Sequence, residues 1–385
     1  MHPNLILKLL RNHKESSLHH RYITNDNIVP LLHDLSSVYD VDEVGKSVND
    51  EPIFSITIGN GKNKILMWSQ MHGNESTTTK ALFDVFNVLK EDIMLPKVIL
   101  KHCTLKIIPI LNPDGARLYT RLNANHIDLN RDAQDQSQPE SIVLLKVLND
   151  FKPNFCFNLH GQRTIFSTGK QNKPATISFL APAQDAEANV TDNRKRAMEV
   201  ISKMNYALQK LIPKQVGVYD DSFNLNCVGD TFQGKNIPTI LFEAGHYAND
   251  YKRETVRGFI GLALITSLNY IANNVVSGAD FKAYFDIPMN EKLFFDIIIR
   301  NAKLEDEGEF MDIAIQYQEV LNQGKIEFKP KVDTIGNLNE NFGHLEINAD
   351  SKLVRTAINE VLFVGYENDF VLINNELFSL KVINN

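Results

Sequence analysis

Between Ile53 and about Val276 this 385-residue chain alternates short β-rich runs with longer helix-patterned ones. No other feature constrains the fold as strongly. Strands separated by helices join side by side through crossovers, which builds a largely parallel sheet covered on both faces. The strand candidates are FSITIG (54–59), KILMWSQ (64–70), TLKIIPIL (104–111), FCFNLH (155–160) and PTILFE (238–243). Between them, TTTKALFDVFNVLKED (77–92) places Leu82, Val85, Phe86 and Leu89 at helical spacing. SIVLLKVLNDF (141–151) follows Pro139 and Glu140, residues suited to a helix start.

After about Ser277 the pattern changes. KLFFDIIIRNA, FMDIAIQYQEVL, GKIEFKP and DFVLINNELFSLKV are β-like, with turns at Asn322-Gln323-Gly324 and Asn374-Asn375. The expected fold is therefore α/β: a mixed, largely parallel central sheet flanked by helices over residues 1–276, plus a smaller C-terminal all-β domain over 277–385. Residues 1–50 read as a mostly helical extension without recognisable chemistry.

Charge and cysteine usage exclude several function classes. Forty Lys and Arg against 47 Asp and Glu leave a formal charge of −7, which argues against nucleic acid or an anionic membrane as partner. Cys103, Cys156 and Cys227 are far apart and odd in number, so neither a disulfide framework nor a C-x-x-C zinc site is expected, and a cytoplasmic location is. The N-terminal segment lacks a signal-peptide pattern. The apolar stretch 258–276 contains Asn269, Asn273 and Asn274, so it reads as a core helix rather than a membrane span.

The chemistry-bearing residues fall at strand ends. In FCFNLHG, Phe155, Phe157 and Leu159 alternate with Cys156, Asn158 and His160, which puts His160 on the opposite sheet face at the strand's close. Glu243 ends the strand TILFE, and His72 and Glu75 follow KILMWSQ in the stretch QMHGNESTTT. Open α/β sheets bind ligands at the carboxyl ends of their strands. A His and a Glu three residues apart can converge on one ion, with Gly73 removing a side chain that would crowd it; His160 is the candidate third ligand of a His₂Glu zinc set. Taken singly, each has a plainer reading: a solvated turn for His72 and Glu75, a backbone-bonded histidine, a salt-bridged carboxylate. A fourth segment, NPDGARLYTRLNANHIDLNRD (112–132), adds Arg121, Asn130 and Arg131, guanidinium and amide groups suited to a carboxylate or an oxyanion.

Together these motifs resemble the zinc metallocarboxypeptidases of the carboxypeptidase A type. The ordered set is H-x-x-E (His72, Glu75), N-P-D-G (112–115), R-x-N-A-N-x-x-D-L-N-R (121–131), L-H-G (159–161) and F-E (242–243). The resemblance implies that His72, Glu75 and His160 bind one Zn²⁺, that Arg121 polarises the scissile carbonyl, and that Asn130 and Arg131 hold the substrate's terminal carboxylate. Glu243 would be the general base. The family's tyrosine over the substrate falls near Tyr219 or Phe223, with Tyr219 taken as the candidate. The specificity floor would come from around Asn226–Phe232, where Asp230 is the one formal charge. Asp132 stands next to Arg131 and could partly compensate it. Gln162, Arg163, His246 and Tyr247 are further candidates for lining the pocket.

The leading expectation is a zinc exopeptidase acting on peptides with a free C-terminus. An amidase or deacylase acting on N-acyl amino acids or a cell-wall-type peptide is the alternative, and a noncatalytic binding protein of the same fold is a third.

Overall fold

The computed structural model describes residues 2–382. Eight strands form the main sheet: β1 (Asp40–Lys46), β2 (Pro52–Ile58), β3 (Asn63–Ser69), β4 (Cys103–Ile108), β5 (Phe155–Gly161), β7 (Ile177–Leu180), β8 (Val216–Val218) and β9 (Thr239–Ala244). Between β5 and β7, the short β6 (Phe166–Thr168) pairs instead with β10 (Asn290–Lys292). The main sheet runs in the order β1-β2-β4-β3-β5-β9-β7-β8. Its centre, β4-β3-β5-β9, is parallel, while β2 and β7 join antiparallel on either side. The expected mixed, largely parallel sheet is what the chain builds, and all five strand candidates lie in it.

Helices cover both faces. On one face pack α1 (Pro3–Asn12), α3 (Thr77–Leu89), α4 (Met94–His102), α7 (Asp192–Leu208) and α9 (Glu254–Asn273). Leu82, Val85, Phe86 and Leu89 of α3 enter this core beside Phe155, Phe157 and Leu159 of β5. The other face carries a smaller core with α6 (Pro139–Phe151) and α8 (Val228–Gly234), where Leu144 and Leu148 meet Leu66, Trp68 and Cys156. Central strands are therefore apolar on both faces: in β3, Ile65 and Met67 go one way, Leu66 and Trp68 the other. Helix α9, the apolar stretch singled out above, is a core helix against α1, α3, α4 and α7, with Asn273 exposed at its end.

Residues 1–50 depart from the helical expectation. After α2 (Asn25–Leu35), residues 40–46 form edge strand β1, antiparallel to β2. Its sequence, DVDEVGK, is polar because an edge strand buries little, so it carries no apolar alternation to read.

Beyond residue 290 the chain is β-structured. Strands β11 (Phe294–Ala302), β12 (Met311–Asn322), β13 (Lys325–Gly336) and β14 (Phe342–Asn348) form a sheet in the order β13-β12-β11-β14. Strands β15 (Val354–Thr356), β16 (Phe370–Ile373) and β17 (Glu376–Ser379) form another. Both expected turns are hairpins: Gln323 and Gly324 join β12 to β13, and Asn374 and Asn375 join β16 to β17, each residue at positive φ. That is the hairpin geometry whose twist matches paired strands. Ile297, Ile313, Ile315, Val332 and Val371 form a core of their own, whereas Tyr284 and Ile287 still belong to the first.

Candidate metal centre and cleft

The loop after β3 is tied down from below. Ser69 Oγ meets the hydroxyls of Thr78 and Thr79 at 2.7 and 2.8 Å, and Gln70 Nε2 donates to Gly73 O at 2.8 Å. The threonine run therefore anchors the turn that presents His72 and Glu75. Gly73 has a different reason from the one expected. A Cβ there would lie 1.9 Å from the carbonyl carbon of Gly115, so the glycine makes room for backbone rather than for an ion. N-P-D-G is the start of α5 (Pro113–Leu118): Asn112 Oδ1 accepts from Gly115 N, and Asn112 Nδ2 donates to Met71 O, fastening one motif to the other.

His72, Glu75 and His160 come together with one ligand atom each, all within 4.8 Å of one another. Glu75 Oε1 lies 2.9 Å from His72 Nδ1, and Oε2 lies 2.9 Å from His160 Nδ1. The two Nδ1 atoms face each other at 3.1 Å. Two imidazole nitrogens and a carboxylate aimed at one point suit a positive charge there. Arg121 answers in part, its Nη1 lying 3.2 Å from His72 Nδ1 and 3.5 Å from Glu75. The donor set fits zinc, which takes two histidines and a glutamate in open catalytic sites. The outer ring nitrogen of His72 meets Asp128 Oδ1 at 3.1 Å, the carboxylate–histidine pairing that orients metal ligands. Asp128 Oδ2 takes Arg121 Nε at 3.0 Å. His160 differs, since its Nε2 is buried with no partner among the described residues.

Electrostatics follow the geometry. Burial would disfavour charge on His72, but Glu75 and Asp128 outweigh it and raise its pKa. Burial raises Glu75 and is itself overcome by the two histidines, leaving its carboxyl well below the usual range. For His160 burial wins and lowers the pKa.

Glu243 is the register partner of His160 across the β5–β9 pair. Its neighbours Phe242 and Ala244 face the first core, so Glu243 points the other way, into the cleft. Its Oε2 is buried and unpartnered among the described residues. Burial, reinforced by Glu75, pushes its pKa well above the usual value, with Arg121 and Arg253 opposing.

The cleft encloses about 760 Å³ and is bordered by all eight candidate residues: His72, Glu75, His160, Glu243, Arg121, Asn130, Arg131 and Tyr219. Asn130 Oδ1 accepts from Val228 N at the start of α8, and Arg131 is exposed at the rim with Nη1 on Asn130 O at 2.7 Å. Asp132 does not compensate Arg131. It is buried, and its oxygens accept from Ser137 N, Ser137 Oγ and Gln138 N to hold the following loop. Tyr219 packs edge-on against Phe166, while Phe223 does not border the cleft. Asp230 does, and burial pushes its carboxyl up to about 6. Gln162 and Arg163 also border it. His246 and Tyr247 do not: His246 sits between Tyr251 and His344, and Tyr247 packs on Phe259.

Two residues around the site, Asp128 and Arg253, carry no role in the sequence motifs. Asp128 was visible inside the D-L-N-R run and its position seven residues after Arg121 was the available signal. Arg253 had none. It caps α9 in the left-handed conformation at φ +59°, fully buried, with Nη1 on Ala244 O at 3.1 Å and Nη2 on Gln162 O at 3.0 Å. Ala244 ends the strand that carries Glu243, and Gln162 directly follows the one that carries His160. Burial, with Arg21 adding to it, lowers the Arg253 pKa to about 10.

Comparison with known proteins agrees with the motifs. Residues 28–135 match the zinc carboxypeptidase family. That span holds His72, Glu75, Arg121, Asn130 and Arg131, so the resemblance read from the sequence is borne out there. A stretch of 163 residues is 30% identical to carboxypeptidase SOL1 of Arabidopsis thaliana, spanning 36% of this chain and 33% of that protein. Solved folds agree as well. A metallo-carboxypeptidase from Burkholderia cenocepacia superposes with a TM-score of 0.53 over 64% of this chain and 68% of its own, at 15% identity. A carboxypeptidase A from Helicoverpa armigera gives 0.52 over 70% and 80%, at 16% identity.

Proposed function

We propose that this chain is a zinc-dependent hydrolase that cleaves an amide bond next to a terminal carboxylate, a metallocarboxypeptidase with Glu243 as general base. The observation that carries this reading is the meeting of His72, Glu75 and His160 with Glu243, one strand across and in register with His160.

His72, Glu75 and His160 would hold the ion. When bound, zinc supplies a Lewis acid and makes water a nucleophile near neutral pH. The rest falls to the protein. Glu243, with its unpartnered oxygen inside the cleft, accepts a proton from the attacking water and returns it to the leaving nitrogen. Its raised proton affinity suits a group that must both take and give one. Arg121, steered by Asp128, places its guanidinium beside the ligand set, where negative charge on the attacked carbonyl oxygen would be neutralised. Arg131 and Asn130 border the cleft beside the start of α8, where the terminal carboxylate would be taken, and Tyr219 would close over the substrate. Residues 277–385 are read as a separate β domain appended to this unit.

An amidase or deacylase acting on N-acyl amino acids would use the same groups and differ in how much acyl chain the cleft accepts. The experiment is to load the protein with zinc, confirm one equivalent, and assay peptides with free and amidated C-termini. Cleavage of the free form alone is expected; equal cleavage of both would reject carboxylate recognition.

A further inference from the structure

The part of the cleft bordered by Arg21, Tyr119 and Glu319 is built from three segments remote in sequence. Glu319 lies on β12, and its Oε1 accepts Arg21 Nη2 at 2.9 Å. Its Oε2 takes the hydroxyl of Tyr119 at 2.5 Å. Arg21 and Tyr119 are both buried. Tyr317, Gln318 and Glu319 border the same cavity as His72, Glu75, His160 and Glu243. The junction is joined to the candidate metal loop, because Ser76, next to Glu75, donates its hydroxyl to Arg21 O.

This flank is distinct from the one holding Arg131. Asn130 and Arg131 are attached to the start of α8 through Val228, whereas Arg21 is attached to Ser76 and to Tyr251 O. Tyr251, two residues before Arg253, accepts from Arg21 through its carbonyl, and Arg253 holds Ala244 O, next to Glu243. The junction is therefore fastened to the loop of Glu75 and to the segment behind Glu243, apart from the attachment of Asn130 and Arg131. The acyl side of a substrate would run there if its carboxylate is at Arg131. That placement rests on the functional reading above.

The junction is also stiff. Glu319 satisfies a buried guanidinium, so withdrawing it would strand a charge away from water. Nearby Arg253 is held by the carbonyls of Ala244 and Gln162 rather than by a carboxylate. The cavity of about 760 Å³ falls within the range of small-molecule sites.

We propose that Glu319, locked to Arg21 and Tyr119, is a specificity-determining wall that closes the acyl end of the cleft. The substrate class that follows is short: dipeptides and amino acids bearing a small N-acyl group, in preference to long peptides.

The test is a matched series sharing one C-terminal residue: the N-acetyl amino acid, the dipeptide, the tetrapeptide and the hexapeptide. For the zinc-loaded wild type, kcat/KM is expected to fall about tenfold or more from dipeptide to hexapeptide. Glu319→Ala should shrink that ratio to about threefold or less. Tyr119→Phe keeps the ion pair and the ring and frees one carboxylate oxygen, so it should shrink the ratio less. It also serves if Glu319→Ala does not fold. Hexapeptide cleaved as well as dipeptide by the wild type overturns the proposal, as does a ratio unmoved in both variants. Calorimetric binding of the same peptides to Glu243→Gln reads the wall without turnover. A silent assay with affinity still falling with length would reject the functional reading and keep the wall; affinity independent of length would reject the wall.

Discussion

Asp128 Oδ1 stands 3.1 Å from His72 Nε2, on the ring edge opposite the one that faces Glu75 and His160. The carboxylate fixes which nitrogen of His72 is free to donate electrons to a metal. Replacing Asp128 by Asn removes that charge while keeping the shape. Zinc affinity, measured by competition with a chromophoric chelator, is expected to fall about 10- to 100-fold. An unchanged affinity would mean that Glu75 and the sheet alone orient the ring.

Glu243 contributes no ligand atom to the three-residue cluster, so metal binding and proton transfer are separable. Glu243→Gln should still take up one equivalent of zinc, by atomic absorption, while kcat falls about 10²- to 10⁴-fold. Loss of zinc together with activity would place Glu243 among the ligands instead.

Arg253 forks between the carbonyls of Ala244 and Gln162, spanning the two strand ends that carry Glu243 and His160. Lysine cannot span both with a planar fork. Arg253→Lys is therefore expected to lower kcat about 10- to 100-fold with KM little altered, since only the relative placement of catalytic groups shifts. A matched rise in KM with kcat intact would show that Arg253 binds substrate instead.

Removing the metal should abolish hydrolysis and also cost stability. Dialysis against a chelator leaves two imidazoles and a carboxylate facing one another, and a ligand that binds only the folded state stabilises it by mass action. Zinc at about 100-fold its dissociation constant is expected to add about 2.7 kcal/mol, read as a rise in the thermal midpoint. No rise would mean that the unfolded chain binds zinc equally well.

Acid should loosen the packing of β14 on the core. Burial holds His344 down to about 4, against 6.5 for a free imidazole, although its hydrogen bond to Thr164 O at 2.8 Å opposes the shift. Between those two values the unfolded chain binds a proton that the folded one refuses, so stability is complete above pH 6.5 and falls as pH drops toward 4. The gap corresponds to about 3 kcal/mol. Urea unfolding at pH 7.5, 5.5 and 4.5 should show the decline, and His344→Gln should flatten it. An equal slope in that variant would assign the effect to other groups, His246 first.

Much of this was legible in the sequence because it depends on local periodicity. The alternation in β5 alone placed His160 on the face opposite Phe155, Phe157 and Leu159, and α3 buries the four residues its spacing selected. Spacing failed where the cause lay elsewhere in the chain. Gly73 looked like clearance for an ion but makes room for the backbone of Gly115. Asp132 looked like a counter-charge for Arg131, yet it is turned inward by three hydrogen-bond donors from Ser137 and Gln138. Strand β1 escaped notice because its hydrogen bonds to β2, not its own side chains, make it a strand.

By itself, then, the order of residues determined the sheet, its helices and the motifs that gather in one cleft, since each rests on side-chain alternation or a turn a few residues long. The folded molecule alone decided which remote residues complete that cleft. Arg21, Tyr119 and Glu319 are brought together across as many as 298 positions of chain, from 21 to 319. Arg253 ties two strand ends that share no motif with it. Such contacts depend on loop closure and on burial of charge, which no short window of sequence records.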